Sequence, residues 1–178
     1  PLGPVYPGGY LPHELERQYR LAAQSLQPEA WLFWDGRLGA PDPAIIAGAL
    51  ASPGDLWHAG LRLGMAGLPA VLDFISPLWM LNRDPPAEIE ATSWRLSLRL
   101  CLVRNAVLEQ IGFIRPEFLS LDAAGLEWGH RCIRLGVIAR HLPGLLATQP
   151  DTPLAALPLQ DELRFALYRF GRKWGRWA

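Results

Sequence analysis

Lysine is nearly absent from this chain: Lys173 stands alone, and every other basic residue is arginine. With 17 glycines, 17 prolines and abundant alanine, this usage fits a GC-rich coding sequence more than a selected surface. Cysteine is equally scarce. Cys101 and Cys132 form no CxxC pair and no Cys/His cluster, which excludes a secreted disulfide framework and a zinc-finger pattern. No charge excess exists either, with 17 basic against 17 acidic residues, so a dedicated duplex-binding protein and a nucleic-acid partner are not expected. No apolar run approaches the roughly 20 residues that span a bilayer. No signal peptide opens the chain, so a cytoplasmic setting is expected. The start at Pro1 rather than methionine fits a processed or excised piece.

Half of the 178 residues are hydrophobic and 19% are charged, enough for one domain to bury about two-thirds of its unfolded surface. Residues 1–12, rich in proline and glycine, read as an extended loop. Leu15, Tyr19, Ala22 and Leu26 recur at a helical period and predict a helix over 13–27. Trp31-Leu32-Phe33-Trp34 reads as a buried strand that stops at Asp35-Gly36-Arg37. Asp42 and Pro43 suit the N-cap and first position of a helix ending near Leu50, and a strand follows over 56–61. Residues 64–83 show no clean period and read as loop with short elements; 84–90 read as a polar connector. Leu96, Leu98, Leu100 and Leu102 alternate with Ser97, Arg99, Cys101 and Val103, a strand pattern. Asn105 should cap a helix that Gly112 ends, Asp122 another over 123–135 that Gly136 ends, and Val137–Leu142 a last strand. After a proline-punctuated stretch over 143–158, a C-terminal helix begins at Leu159. The alternation predicts an α/β domain over 1–158 with a mixed, mostly parallel sheet, followed by a helical segment over 159–178.

The order of three segments resembles the inverting family-two glycosyltransferases of the GT-A fold. Asp35 after an apolar strand, followed by Pro41-Asp42-Pro43 and a helix, is similar to that family's DxD region. Trp94-Arg95-Leu96-Ser97 and the run from Cys101 to Phe113 resemble its strand–helix unit. Glu127-Trp128-Gly129-His130-Arg131, the run on to Gly136, and His141-Leu142-Pro143 resemble its acidic helix and the strand beyond. The likeness covers about residues 30–145 and implies a partial GT-A-like α/β/α sandwich. It departs at three places. Arg37 stands at the second acid of DxD, Ala124-Gly125 stand at the Glu-Asp pair that holds the family's base, and the opening nucleotide-binding unit is not recognisable.

What the resemblance implies is transfer of a sugar from a nucleotide-sugar donor to a hydroxyl of a glycan or lipid-linked acceptor. Glu127 or Asp122 would serve as base, and Asp35 would bind the donor and a manganese or magnesium ion. Arg37 would offset diphosphate charge, because a guanidinium has only donors and cannot ligate a cation. Trp94 and Trp128 would stack on a ring. Each residue also has a plainer role. Asp35 can be a turn former, Arg37 a solvated loop residue, Asp122 an N-cap, Glu127 a helix-dipole carboxylate, and the tryptophans and cysteines core residues. The alternative is a degenerate, non-catalytic module that binds a glycan or a partner protein. The tail over 161–178, with Arg164, Arg169, Arg172, Lys173 and Arg176 among aromatics, suits either a packed helix or peripheral contact with an anionic membrane.

Overall fold

The structure, a computed structural model, describes residues 11–59, 86, 88–146 and 157–175, of which Trp174 and Gly175 are described by backbone only. The proline-rich opening over 1–10, the stretch read as loop over 64–83 and most of the 143–158 segment lie outside the described residues. So do the end of the strand expected over 56–61 and the last residues of the tail.

The first helix, α1, spans Pro12–Ala23 and leads to β1, Ala30–Trp34. A short 3-10 turn over Gly36–Leu38 follows, and then α2, Pro43–Ala51. Asp42 caps α2 as its sequence predicts, its carboxylate accepting from Ala44 N at 2.8 Å. Beyond α2 come β2 (Leu56–His58), β3 (Ala91–Thr92), β4 (Leu100–Arg104) and α3 (Asn105–Ile111). The long helix α4 covers Leu121–Arg134, β5 Ala139–His141 and α5 Leu159–Phe170, and a single turn, α6, spans Arg172–Gly175.

The five strands lie in the order β1-β4-β2-β5-β3. β4 runs antiparallel to both β1 and β2, β2 pairs with β5 in parallel, and β3 pairs antiparallel with β5. The sheet is therefore mixed rather than mostly parallel. Its physical reason is a strand inserted between two others: β1, β2 and β5 do share one direction, as an alternating βαβ pattern demands. β4 enters between β1 and β2 running the opposite way, so only β2 and β5 meet as parallel neighbours.

Strand alternation distributes the core. Phe33, Leu56, Cys101, Val103 and Ala139 face one side, which α1, α3, α4 and α5 cover. Leu32, Trp34, Trp57, Leu100 and Leu102 face the other, beneath α2 and the turn over Pro143–Leu145. Helices thus lie on both faces of the sheet. Phe165 and Ala166 of α5 belong to the first cluster, so the C-terminal helix shares the core of the sheet.

Two local expectations change. Residues 93–99 alternate in polarity but form no strand; only Leu100–Arg104 joins the sheet. The segment lies buried against α4, where two glycines leave room for it. A side chain at Gly125 would stand 2.8 Å from Leu96 O, and one at Gly129 would collide with Trp94 O. The cap of α4 is Ser120, whose hydroxyl accepts from Ala123 N at 3.2 Å, and Asp122 inside the helix turns to Arg99. Asn105 likewise does not cap α3; it bonds Trp31 Nε1 and Glu109, while Arg104 takes the cap position without a side-chain bond.

Candidate functional site

Asp35 ends β1, where its backbone N–H donates to Arg99 O at 2.6 Å across the entry to β4. Its carboxylate closes the following turn by accepting from Arg37 N at 3.0 Å. The Arg37 guanidinium grips the same carboxylate through Nε at 3.0 Å and Nη2 at 2.8 Å. A two-residue separation makes this pair local: the turn that positions Asp35 also delivers its counterion. Arg37 thus holds Asp35 through Nε and Nη2. A cation at Asp35 would have to displace that guanidinium, and the residue at the second DxD position can offer no ligand of its own. The residues present therefore do not fit the metal that the resemblance implies.

Arg99 connects this rim to α4. Its carbonyl holds Asp35 N, and its guanidinium reaches Asp122 through Nε at 3.4 Å and Nη2 at 3.3 Å. Asp35 and Asp122 thus converge on one residue, and both are largely buried.

Glu127 belongs to a different group. Five residues beyond Asp122 on α4, it is turned roughly 140° about the helix axis. Its side chain is fully buried among three guanidinia: Arg169 Nη2 at 3.2 Å, Arg131 Nη2 at 3.4 Å and Arg115 Nε at 3.5 Å. Those arginines come from α5, α4 and the loop after α3, so the carboxylate ties three segments together. Arg131 also donates to Ile111 O and Phe113 O, at 2.9 and 2.7 Å, and so satisfies carbonyls at the end of α3. Arg115 lies over the Tyr168 ring at 4.5 Å.

The two tryptophans proposed for stacking are core residues here. Trp94 is 1% and Trp128 0% exposed. Trp94 packs edge-on against His130, and Trp128 against Phe113 while donating to Gly112 O at 2.9 Å. Stacking on a sugar would need a ring face that the core already covers. His130 lies in an aromatic box of Trp94, Phe165 and Phe170, with neither ring nitrogen hydrogen-bonded. Burial first, then Arg169 and Arg134, lowers its pKa to about 4. His58 reaches the same value, about 4, through burial and the neighbouring His141, against the opposing pull of Ser93 O and Ala59 O. Both cysteines are free, buried thiols; burial pushes Cys132 up to about 12.

A cavity of about 280 Å³ is lined by residues of α2 and β5 together with Ser52, Trp57, Glu90 and Leu142. None of Asp35, Asp122 or Glu127 lines it. Among the described residues no cluster of three His, Cys, Asp or Glu side chains forms, and no helix is long and apolar enough to cross a membrane.

Sequence reasoning overlooked three arginines. Arg131, four residues after Glu127 on one helix, was within reach of a spacing argument. Arg115 and Arg169 meet Glu127 only through tertiary packing, and no local signal marks them. Compared with protein-family models, curated proteins and solved structures, the chain matches none.

Proposed function

We propose that this domain is a non-catalytic, glycosyltransferase-like module that binds a glycan. The carrying observation is that each carboxylate sugar transfer would employ already has an arginine partner: Arg37 on Asp35, Arg99 on Asp122, and three guanidinia on Glu127. A general base must accept a proton from the acceptor hydroxyl within hydrogen-bond reach. A carboxylate whose oxygens already face guanidinia has fewer lone pairs left for an acceptor hydroxyl. Glu127 is also sealed from any acceptor. The cavity lined by Trp57, Arg140 and His141 among others is where a sugar would lodge.

A second reading, inverting sugar transfer from a nucleotide-sugar with Asp122 as base, draws support from one feature. Arg99 joins Asp35 and Asp122 on the same rim. Titration of nucleoside diphosphate sugars with and without manganese, on wild type and Asp35→Ala, separates the two. The binding module predicts that any saturable binding is metal-independent and survives Asp35→Ala. Manganese-dependent binding lost in that variant would favour the enzyme.

A further inference from the structure

We infer that the arginine cluster around Glu127 is a binding site for a phosphate group. Three guanidinia surround a single carboxylate, leaving two positive charges without a counterion, and among the described residues no other acid pairs with any of the three. Two buried acids of the neighbouring helices are committed elsewhere, Asp122 to Arg99 and Asp161 to Leu119 N, Ser120 and Arg164, while Glu117, two residues from Arg115, is exposed to solvent.

The donors outnumber the acceptors at hand. The Nε atoms of Arg115, Arg131 and Arg169 are buried with no hydrogen-bond partner, and Glu127 Oε1 meets its arginines at ion-pair distance without a well-formed hydrogen bond. Arg134, exposed to solvent and not paired with Glu127, donates from Nη1 to Arg169 O at 3.4 Å. Desolvation and these neighbouring arginines together hold the Arg169 pKa below its ordinary value. An anion entering the group would relieve that repulsion.

Access runs through Arg115, whose side chain is 37% exposed, against 15% for Arg131 and 13% for Arg169. Arg115 Cζ also lies 4.5 Å from the centre of the Tyr168 ring, a cation–π contact that restrains its fork. Arg131 spends both Nη atoms on carbonyls and positions the group, leaving Arg115 and Arg169 as the principal donors. Two surplus charges match a phosphoryl dianion better than a carboxylate, and planar guanidinia bind phosphate oxygens in pairs. A free phosphate and a nucleotide present the same chemistry to the site, the phosphoryl group.

Calorimetric titration of the full chain with inorganic phosphate, and separately with a nucleoside diphosphate, tests the site. Saturable binding is expected, weakened about tenfold or more in both Arg115→Gln and Arg169→Gln and unchanged in Arg20→Gln, an exposed arginine of α1 paired with Glu16. Tighter binding of the nucleotide than of the ion would identify a carried phosphate as the ligand, and equal binding the free ion. Glu127→Gln, if it folds, should bind phosphate more tightly, since one competing negative charge is gone. Absence of saturable binding to wild type, or wild-type affinity in the two arginine variants, would overturn the assignment. The inference does not depend on the glycan reading: nucleoside diphosphate sugars carry phosphates, so repeating the Asp35→Ala titrations with Arg115→Gln added separates binding at the arginine cluster from binding elsewhere.

Discussion

Asp35 and Glu127 are both acidic, both buried and both paired with arginine, yet they are built in opposite ways. Asp35 closes a turn, and its partner is two residues away with a guanidinium 67% exposed to water. Glu127 lies inside a helix, and its partners come from three separate segments that fold around it. A local pair whose cation is exposed is worth little, because water screens that cation and the chain would place the two groups near each other even when unfolded. A buried carboxylate serving several cations has no such substitute, and removing it leaves positive charges facing one another. The turn that resembles a DxD region thus carries its own counterion, and Glu127 ties three segments together.

Removing the Glu127 carboxylate should have the largest effect. Glu127→Gln is expected to destabilise the fold by about 3 kcal/mol, the low end for a broken buried pair because Arg115 stays partly hydrated. Chemical denaturation measures it, and a loss below about 1 kcal/mol would break the contrast with Asp35. Gly129→Ala comes next, at about 1–3 kcal/mol, because its methyl group meets the Trp94 carbonyl and pushes α4 away from the buried 93–99 segment. A stable Gly129→Ala protein would show that the close approach does not hold Glu127 in place.

Acid should weaken the region beside Glu127 through His130. In the unfolded chain its ring takes up a proton near the ordinary 6.5, but in the fold only near 4. As pH falls from 6.5 toward 4, the unfolded state binds more protons and stability drops; above 6.5 the full stability is present. His58, also held to about 4, adds to the same trend, each ring contributing at most on the order of 3 kcal/mol. His130→Phe, which suits an aromatic box, should flatten the dependence in melting curves taken across that window. An unchanged pH profile in that variant would remove His130 from the account. The smallest change is predicted for Asp35→Asn, under about 1 kcal/mol, consistent with an exposed partner. A loss as large as that of Glu127→Gln would erase the distinction between the two acids.

What the sequence made legible was whatever its determinants held within a few residues. The strand at 31–34, the Asp42 cap of α2 and the glycine ends of α3 and α4 follow from local chemistry. Gly112 and Gly136 both take positive φ, at 78° and 89°. Leu96 to Arg99 misled because a polar–apolar alternation suits any segment buried on one side. The distinguishing signal lay elsewhere, in Gly125 and Gly129, which allow another backbone to approach one face of α4. The direction of β1, β2 and β5 was implicit in the alternating pattern, whereas the insertion of β4 between two of them is a topological event no residue announces. The site divides in the same way. Arg37 was visible beside Asp35, while Arg99, Arg115 and Arg169 reach their acids only through the tertiary fold.

The most direct test is release of nucleoside diphosphate from a panel of nucleotide sugars, with manganese present, by the wild type and by Asp122→Asn. Carboxylates that serve as counterions predict release no faster than background for both proteins. Release by the wild type that Asp122→Asn abolishes, with its fold intact by circular dichroism, would contradict the account.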